Sequence, residues 1–541
     1  MDRLRCTSML LSAWGLCLLA GTARAQPDLA AWDYRIQPGD TLIGLAETYL
    51  DARHGWRDLQ RLNRVADPLR LPPGGRLRLP IAWLQRESSV ARVVFVQGQA
   101  QLLRDGQPAQ ALAVGALLRS GDRLRTGTQS SLSLRFVDGS RLLLEPDSEL
   151  GVEQLLVYGR SAIPAMQLRL QQGGAANQVQ PDAAQPPRYE LRTPLLNLGV
   201  RGTEFRVQAT PEATRVQVLE GRVAAGDAAR ATALQAGQGA LARAGAALTL
   251  QALLPPPDLA GLPARLERLP LQFDWPALPG AVAYRAQVFA EGRFDALLLD
   301  GRFERPQAGW PDLPDGRYSL RLRGIDALGL EGRAAEAQLT VKARPEPPFV
   351  RAPAPAARLY GERVELAWTR AQDALRYRLQ LAATADFAAP LLDRADLDAN
   401  TQDLPLPPGR YHWRVASIAA GENQGPFGPA QAFELHAEPP SPALQPPELG
   451  DALLLRWQAG PPGTRYQLQG SPDPQFQREL QTLELGEAQA SLPRPPPGRY
   501  YLRLRAIDAL GHAGPYGGTQ QVDVPHPRWL WLLTLLPLLG L

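Results

Sequence analysis

Two hydrophobic periods divide the first half of the 541-residue chain. Leu42, Leu45, Ala46 and Tyr49 fall on one helical face. The pattern predicts a strand over 34–37, helices over 42–49 and 56–63, and a return strand over 76–79, in the order β-α-α-β. Pro38, Gly39 and Asp40 make the first turn, and Asp40 or Thr41 caps the helix after it. From residue 90 to 250 the period drops to two. Leu132, Leu134 and Phe136 alternate with Ser131, Ser133 and Arg135. Phe205, Val207 and Ala209 alternate with Arg206 and Gln208, and Val216 and Val218 with Arg215 and Gln217. Such alternation predicts strands with one buried face. Asp138-Gly139 signals a two-residue hairpin, and Glu220-Gly221 a turn into 222–224. The polar, Gly/Pro/Gln-rich stretch 173–187 reads as a surface loop. Gly199 and Gly202 bracket Val200-Arg201 and predict a backbone corner, across which Arg201 and Glu204 could pair.

The second half repeats itself. Trp275, Trp368 and Trp457 follow one another at 93 and 89 residues. Each is followed at nine residues by a tyrosine (Tyr284, Tyr377, Tyr466), then by Phe294, Phe387 or Phe476. Each unit then has Gly-Arg-Tyr, ending at Tyr318, Tyr411 and Tyr500, before a long alternating strand. Units of about 90 residues with many strands and a buried Trp predict β-sandwiches. Pro-rich segments at 254–257, 344–355 and 438–447 read as semi-rigid spacers of an extended array.

Composition narrows the class. With 45% hydrophobic and 21% charged residues the chain is globular, and its length implies roughly four or five domains. The net charge is only +4, and no arginine run is interleaved with aromatics, so nucleic acid is not an expected partner. Arg3 and Arg5, an apolar run over 9–20 and Ala23-Arg24-Ala25 form an export signal over 1–25. Both cysteines, Cys6 and Cys17, lie inside it, so the mature chain has no disulfide. Residues 529–541 are apolar apart from Thr534. That run is too short to span a bilayer as a helix, which leaves peripheral membrane contact or burial.

Three resemblances carry these elements further. Tyr34, Gly39-Asp40-Thr41-Leu42, Leu45-Ala46, Tyr49, Leu59, Leu62-Asn63, Leu71, Pro73-Gly74 and Leu77 to Pro80 resemble a LysM domain (32–84). The resemblance implies binding of peptidoglycan or another N-acetylglucosamine polymer. The groove would lie between loops 39–42 and 66–72, with Gly39, Asp40, Thr41, Leu42, Asp67, Pro68 and Leu71 as its residues. Residues 121–127, 136–140, 192–194, 200–205 and 218–223 resemble, in order, the motifs of a FecR domain (90–250). That implies a periplasmic β domain used in envelope signalling, in which Arg201, Gly202, Thr203 and Glu204 are structural markers. Signalling members carry a cytoplasmic segment and a membrane helix, where this chain has an export signal and the LysM-like module. The three repeats (258–342, 355–437, 446–524) look like fibronectin type III or Ig-like domains. The expected architecture is therefore mainly β and multidomain: a small βααβ module, a β-rich block and three tandem sandwiches.

No catalytic constellation accompanies them. His54, His412, His436, His512 and His526 make no zinc motif, and Cys-His chemistry has no mature cysteine. Asp393, Asp396 and Asp398 resemble a calcium loop only weakly. No metal or cofactor is expected. The reading is a non-enzymatic periplasmic or envelope protein that holds peptidoglycan and presents β domains to an unknown envelope partner. The alternatives are a signalling component that works with a separate membrane regulator, and a peptidoglycan-remodelling accessory or enzyme.

Overall fold

The computed structural model describes residues 31–161, 163–181, 188–226, 231–293 and 295–526. The export signal, Phe294 and the tail 529–541 lie outside the described residues. No helix among those described is long and apolar enough to cross a membrane. The chain divides into two compact units, one reaching to Lys342 and one beginning at Ala343.

The first unit opens with the βααβ module. Strand Ala31–Arg35 pairs antiparallel with Arg76–Pro80, which sets Trp32 opposite Leu79 and Tyr34 opposite Leu77. Helices Leu42–Tyr49 and Trp56–Asn63 lie where the periodicity predicts them, and Leu42, Leu45, Ala46 and Leu59 are buried. Thr41 is the cap that starts the first helix: its Oγ1 accepts the Gly44 N–H at 3.1 Å. At the second helix the Asp58 carboxylate accepts the Gly55 N–H at 2.9 Å, and Arg64 ends it in the left-handed conformation. The module is not an isolated bead. Its core continues into Tyr158, Ile163 and Ala165, at the tip of the hairpin formed by Glu149–Tyr158 and Ile163–Gln178.

The β-rich block that follows builds one 16-stranded sheet around Leu134, Leu142, Leu168, Tyr189, Phe205 and Val218. Three local expectations change here. The hairpin after Ser131–Arg135 has a three-residue tip: Phe136 N–H bonds Ser140 O, leaving Val137, Asp138 and Gly139 to turn, with Gly139 at φ +86°. Residues 173–178 are not loop but the end of strand Ile163–Gln178, paired with Asn197–Ala209 from Gly173 opposite Ala209 to Gln178 opposite Glu204. Their glycines exist because the sheet is crowded there. A Cβ on Gly173 would lie 2.1 Å from Ser148 Oγ, and one on Gly174 only 2.0 Å from Glu145 Oε2.

The third change concerns the glycine pair at 199 and 202. No corner forms. Strands Asn197–Ala209 and Ala213–Ala225 run unbroken beside each other, with register shifts between Arg201 and Phe205. The shift opens between Arg201 and Glu204 and closes between Glu204 and Phe205, so each strand takes up one extra residue in a β-bulge without ending. Gly202 and Gly221 supply its positive φ values, +53° and +75°, and a Cβ on Gly221 would sit 2.6 Å from the Gly202 carbonyl.

The rest of this unit is a sandwich of a five-stranded and a two-stranded sheet. It does not hang from a Pro-rich spacer. Leu254, expected in a linker, accepts the Arg333 N–H at 2.9 Å, and Ser131 Oγ of the large sheet donates to Leu297 O at 2.9 Å. Ser131 and Ser133, on the polar face of their strand, are 2% and 1% exposed because this sandwich covers them.

The second unit holds two further pairs of sheets, one of three and six strands and one of three and four. The repeated aromatics are their cores. Trp368 and Trp457 are buried, as Trp275 is in the first unit. Tyr377 Oη accepts the Ala371 N–H at 3.0 Å and Tyr466 Oη accepts the Gly460 N–H at 2.6 Å. Tyr411 and Tyr500 each donate to the carbonyl four residues back, Pro407 O at 2.7 Å and Pro496 O at 3.1 Å. That is the tyrosine corner. The Pro-rich segments pack on their own sheets: Ser417 Oγ donates to Glu346 O at 2.7 Å.

Candidate functional site

The two loops expected to form a groove do meet. The Leu42 N–H donates to Pro68 O at 3.0 Å, which fastens loop 39–42 to loop 66–71. Each loop is stiffened by its own acid. Asp40 Oδ2 accepts the Tyr34 hydroxyl at 2.8 Å and the Gln37 N–H at 2.6 Å. Asp67 Oδ1 accepts the Leu69 N–H at 2.9 Å. Burial and the Asp40 carboxylate both raise the Tyr34 phenol, so it stays a donor. Gly39, at φ +91° with open space where a Cβ would be, leaves its backbone uncovered.

Leu42 and Leu71 are 0% and 7% exposed, so their side chains belong to the module's core. The apolar surface at the junction comes instead from Ile43 and Leu69, which are 36% and 62% exposed. Each follows one member of the Leu42–Pro68 hydrogen bond. The sequence offered one signal for Leu69: it stands between Pro68 and Arg70 and fits neither helical face.

The Arg201 to Glu204 stretch lies in the bulge of strand Asn197–Ala209. Thr203, buried, donates from Oγ1 to Arg201 O at 2.9 Å and Arg222 O at 3.1 Å, which ties the bulge to its neighbour. Among the described residues no ion pair joins Arg201 to Glu204.

The charged chemistry lies beside that bulge. Arg206 Nη1 meets Glu331 Oε2 at 3.2 Å, and Gln208 donates to Glu331 Oε1 at 2.6 Å. Arg323 Nη1 reaches the same carboxylate at 3.1 Å and Arg285 Nη1 at 2.9 Å. Arg285 also bonds Glu145 at 3.0 Å and Asp300. Three arginines thus share three carboxylates between the polar face of the large sheet and the first sandwich. Burial alone would raise Glu331, but Arg285, Arg323 and Arg206 outweigh it and bring it down to about 2. Burial dominates at Glu145 and pushes it up to about 6 despite Arg285. Burial likewise lowers Arg323 to about 9. Nothing in the strand patterns pointed to this network, whose members come from distant segments.

The LysM family model matches residues 34–80 and the FecR protein family model matches residues 122–224. Over those segments the chain is similar to LysM domains and to FecR proteins. No curated protein matches the chain. Among solved structures it is similar to a candidate anti-sigma factor from Parabacteroides distasonis, with 16% identity over 24% of this chain and 59% of that one, at a TM-score of 0.21. It is also similar to the FN1-FN3 domains of chicken CNTN1, with 15% identity over 47% of this chain and 94% of that one, at a TM-score of 0.23. Scores this low bear on no functional argument. The two family matches do. The LysM match spans both groove loops, and the FecR match contains Glu145, Arg206 and Gln208, the large sheet's share of the buried network. Neither family is a catalytic one. Asp393 is held by Arg378 at 2.6 Å and Asp396 by Arg394 at 3.0 Å, so those carboxylates of the weak calcium pattern are engaged in ion pairs.

Proposed function

We propose that this protein is a non-enzymatic component of the cell envelope that binds peptidoglycan through residues 39–43 and 66–71 and presents its FecR domain and sandwiches to a protein partner. The junction at Leu42 N–H and Pro68 O carries the reading. It joins uncovered backbone at Gly39 to the exposed side chains Ile43 and Leu69. Backbone amides there suit acetamide groups, and the two apolar side chains suit the methyl and the sugar face. Gly39, Asp40, Thr41, Asp67 and Pro68 shape the loops, and Leu42 and Leu71 anchor them from beneath. An LysM domain over 32–84, a FecR domain over 90–250 and three fibronectin- or Ig-like sandwiches complete the proposed organisation, exported to the periplasm.

Pelleting with insoluble peptidoglycan tests it. Deleting the module would uncover Tyr158, Ile163 and Ala165, so point substitutions are cleaner. Leu69→Asp removes apolar contact worth about one order of magnitude in affinity. Co-sedimentation should fall accordingly, and unchanged pelleting of Leu69→Asp together with Ile43→Asp refutes the groove.

The FecR match favours a second reading, in which the protein works with a separate membrane regulator. Loss of the protein should then change transcription of a defined operon; an unaltered transcriptome speaks against it.

A further inference from the structure

At the edge of the junction between the large sheet and the first sandwich, three arginines stand in one row across three adjacent strands. Arg92 of Ala91–Gln97 lies directly opposite Arg135 of Ser131–Arg135, and Arg135 directly opposite Arg141 of Arg141–Leu144. All three are exposed. None has an ion-pair partner among the described residues. Like charges placed directly opposite on a ladder destabilise a sheet. A triple row serves folding badly.

The row borders two adjoining clefts of about 470 and 310 Å³. Arg135 and Arg92 line the first, and Arg141 lines both. Arg293 and Arg321 also line them, but they are matched by Asp295 at 3.7 Å and Glu336 at 2.8 Å. Against the three unmatched arginines the clefts offer one further acid, Glu204. The excess is positive.

We infer that this row is a binding site for an anion carrying two or more clustered phosphoryl groups. Neighbouring strands are about 4.8 Å apart, so three guanidinium forks fall within roughly 10 Å. A guanidinium binds two phosphate oxygens at once, and it does so as a fixed planar fork. A single carboxylate would satisfy one member and leave the others facing each other. Paired phosphoryl groups would satisfy the row. Such groups occur on soluble pyrophosphate-type compounds and on phospholipid surfaces, and the chemistry at the protein is the same.

Titration calorimetry of the full chain with inorganic pyrophosphate at low salt tests the site. Saturable binding is expected, weakened at least about tenfold in Arg135→Gln and less in Arg135→Lys. Arg363→Gln, at an exposed ion pair in the second unit, should bind as wild type. Arg141→Gln, at the end of the row, gives a second variant should Arg135→Gln fold poorly. Absent saturation, or affinity within twofold of wild type in the row variants, overturns the site. Vesicles of phosphatidylcholine with and without phosphatidylglycerol separate the sources. Arginine-dependent binding to the anionic vesicles that pyrophosphate displaces assigns a lipid surface; pyrophosphate binding without vesicle binding assigns a soluble anion.

Discussion

Arg206 and Glu331 meet at 3.2 Å although 125 residues separate them, and both are almost fully buried. The pair joins the large sheet to the sandwich after it. A buried ion pair need not add stability over apolar packing, but removing one partner strands the other charge. Glu331→Ala would leave Arg206, Arg285 and Arg323 short of a shared carboxylate. A loss of about 3–5 kcal/mol is expected in the unfolding transition of the first unit. Calorimetry of the full chain reads it, with the second unit as internal reference.

The same carboxylates set the response to acid. Glu331 titrates near 4.5 when unfolded and near 2 when folded. Its contribution is therefore complete above about pH 4.5 and is lost as pH falls toward 2. Glu145 acts in the opposite sense: folded, it holds its proton up to about 6, so stability falls as pH rises from 4.5 to 6. The melting temperature of the first unit should decline below pH 4.5 in wild type. In Glu145→Gln the change between pH 4.5 and 6 should flatten; an identical profile in that variant contradicts the assignment.

Gly174 allows Glu145 its position. A methyl group there would sit 2.0 Å from Glu145 Oε2, inside a network that cannot shift freely. Gly174→Ala should destabilise the first unit by about 1–3 kcal/mol, the usual range for overpacking. Gly486→Ala, where a Cβ meets nothing within 4 Å, is the matched control.

The two tyrosine corners of the second unit differ in burial. Tyr411 is 5% exposed and donates at 2.7 Å, whereas Tyr500 is half-buried and donates at 3.1 Å. Tyr411→Phe should cost about 1 kcal/mol and Tyr500→Phe less, since water can replace the weaker bond. Urea unfolding of the two variants gives the order.

What was legible in the sequence is what local pattern encodes. The helices at Leu42–Tyr49 and Trp56–Asn63 follow from apolar spacing and capping residues, and the buried tryptophans follow from the repeat. What was not legible depends on distant partners. Ser131, Ser133, Arg206 and Gln208 alternate with core residues just as solvent-facing residues do, yet the first sandwich covers them. A polar face looks the same in sequence whether water or complementary charge lies above it. Of the pair Gly199 and Gly202 only Gly202 takes positive φ, as does Gly221, and the paired strands show a bulge there in place of the expected corner and turn. At the two loops, the motif indicated the segments, but which apolar side chains are buried (Leu42, Leu71) and which are exposed (Ile43, Leu69) shows only in the packed module.

The central claim is that the Leu42–Pro68 junction receives N-acetylglucosamine units. Amide hydrogen exchange of the full chain, with and without a soluble N-acetylglucosamine oligomer, locates that contact directly. The account predicts slowed exchange across 39–43 and 66–71 and no change in helix Trp56–Asn63 or in the sandwiches. Saturable oligomer binding with protection elsewhere, and none in those two loops, would contradict it.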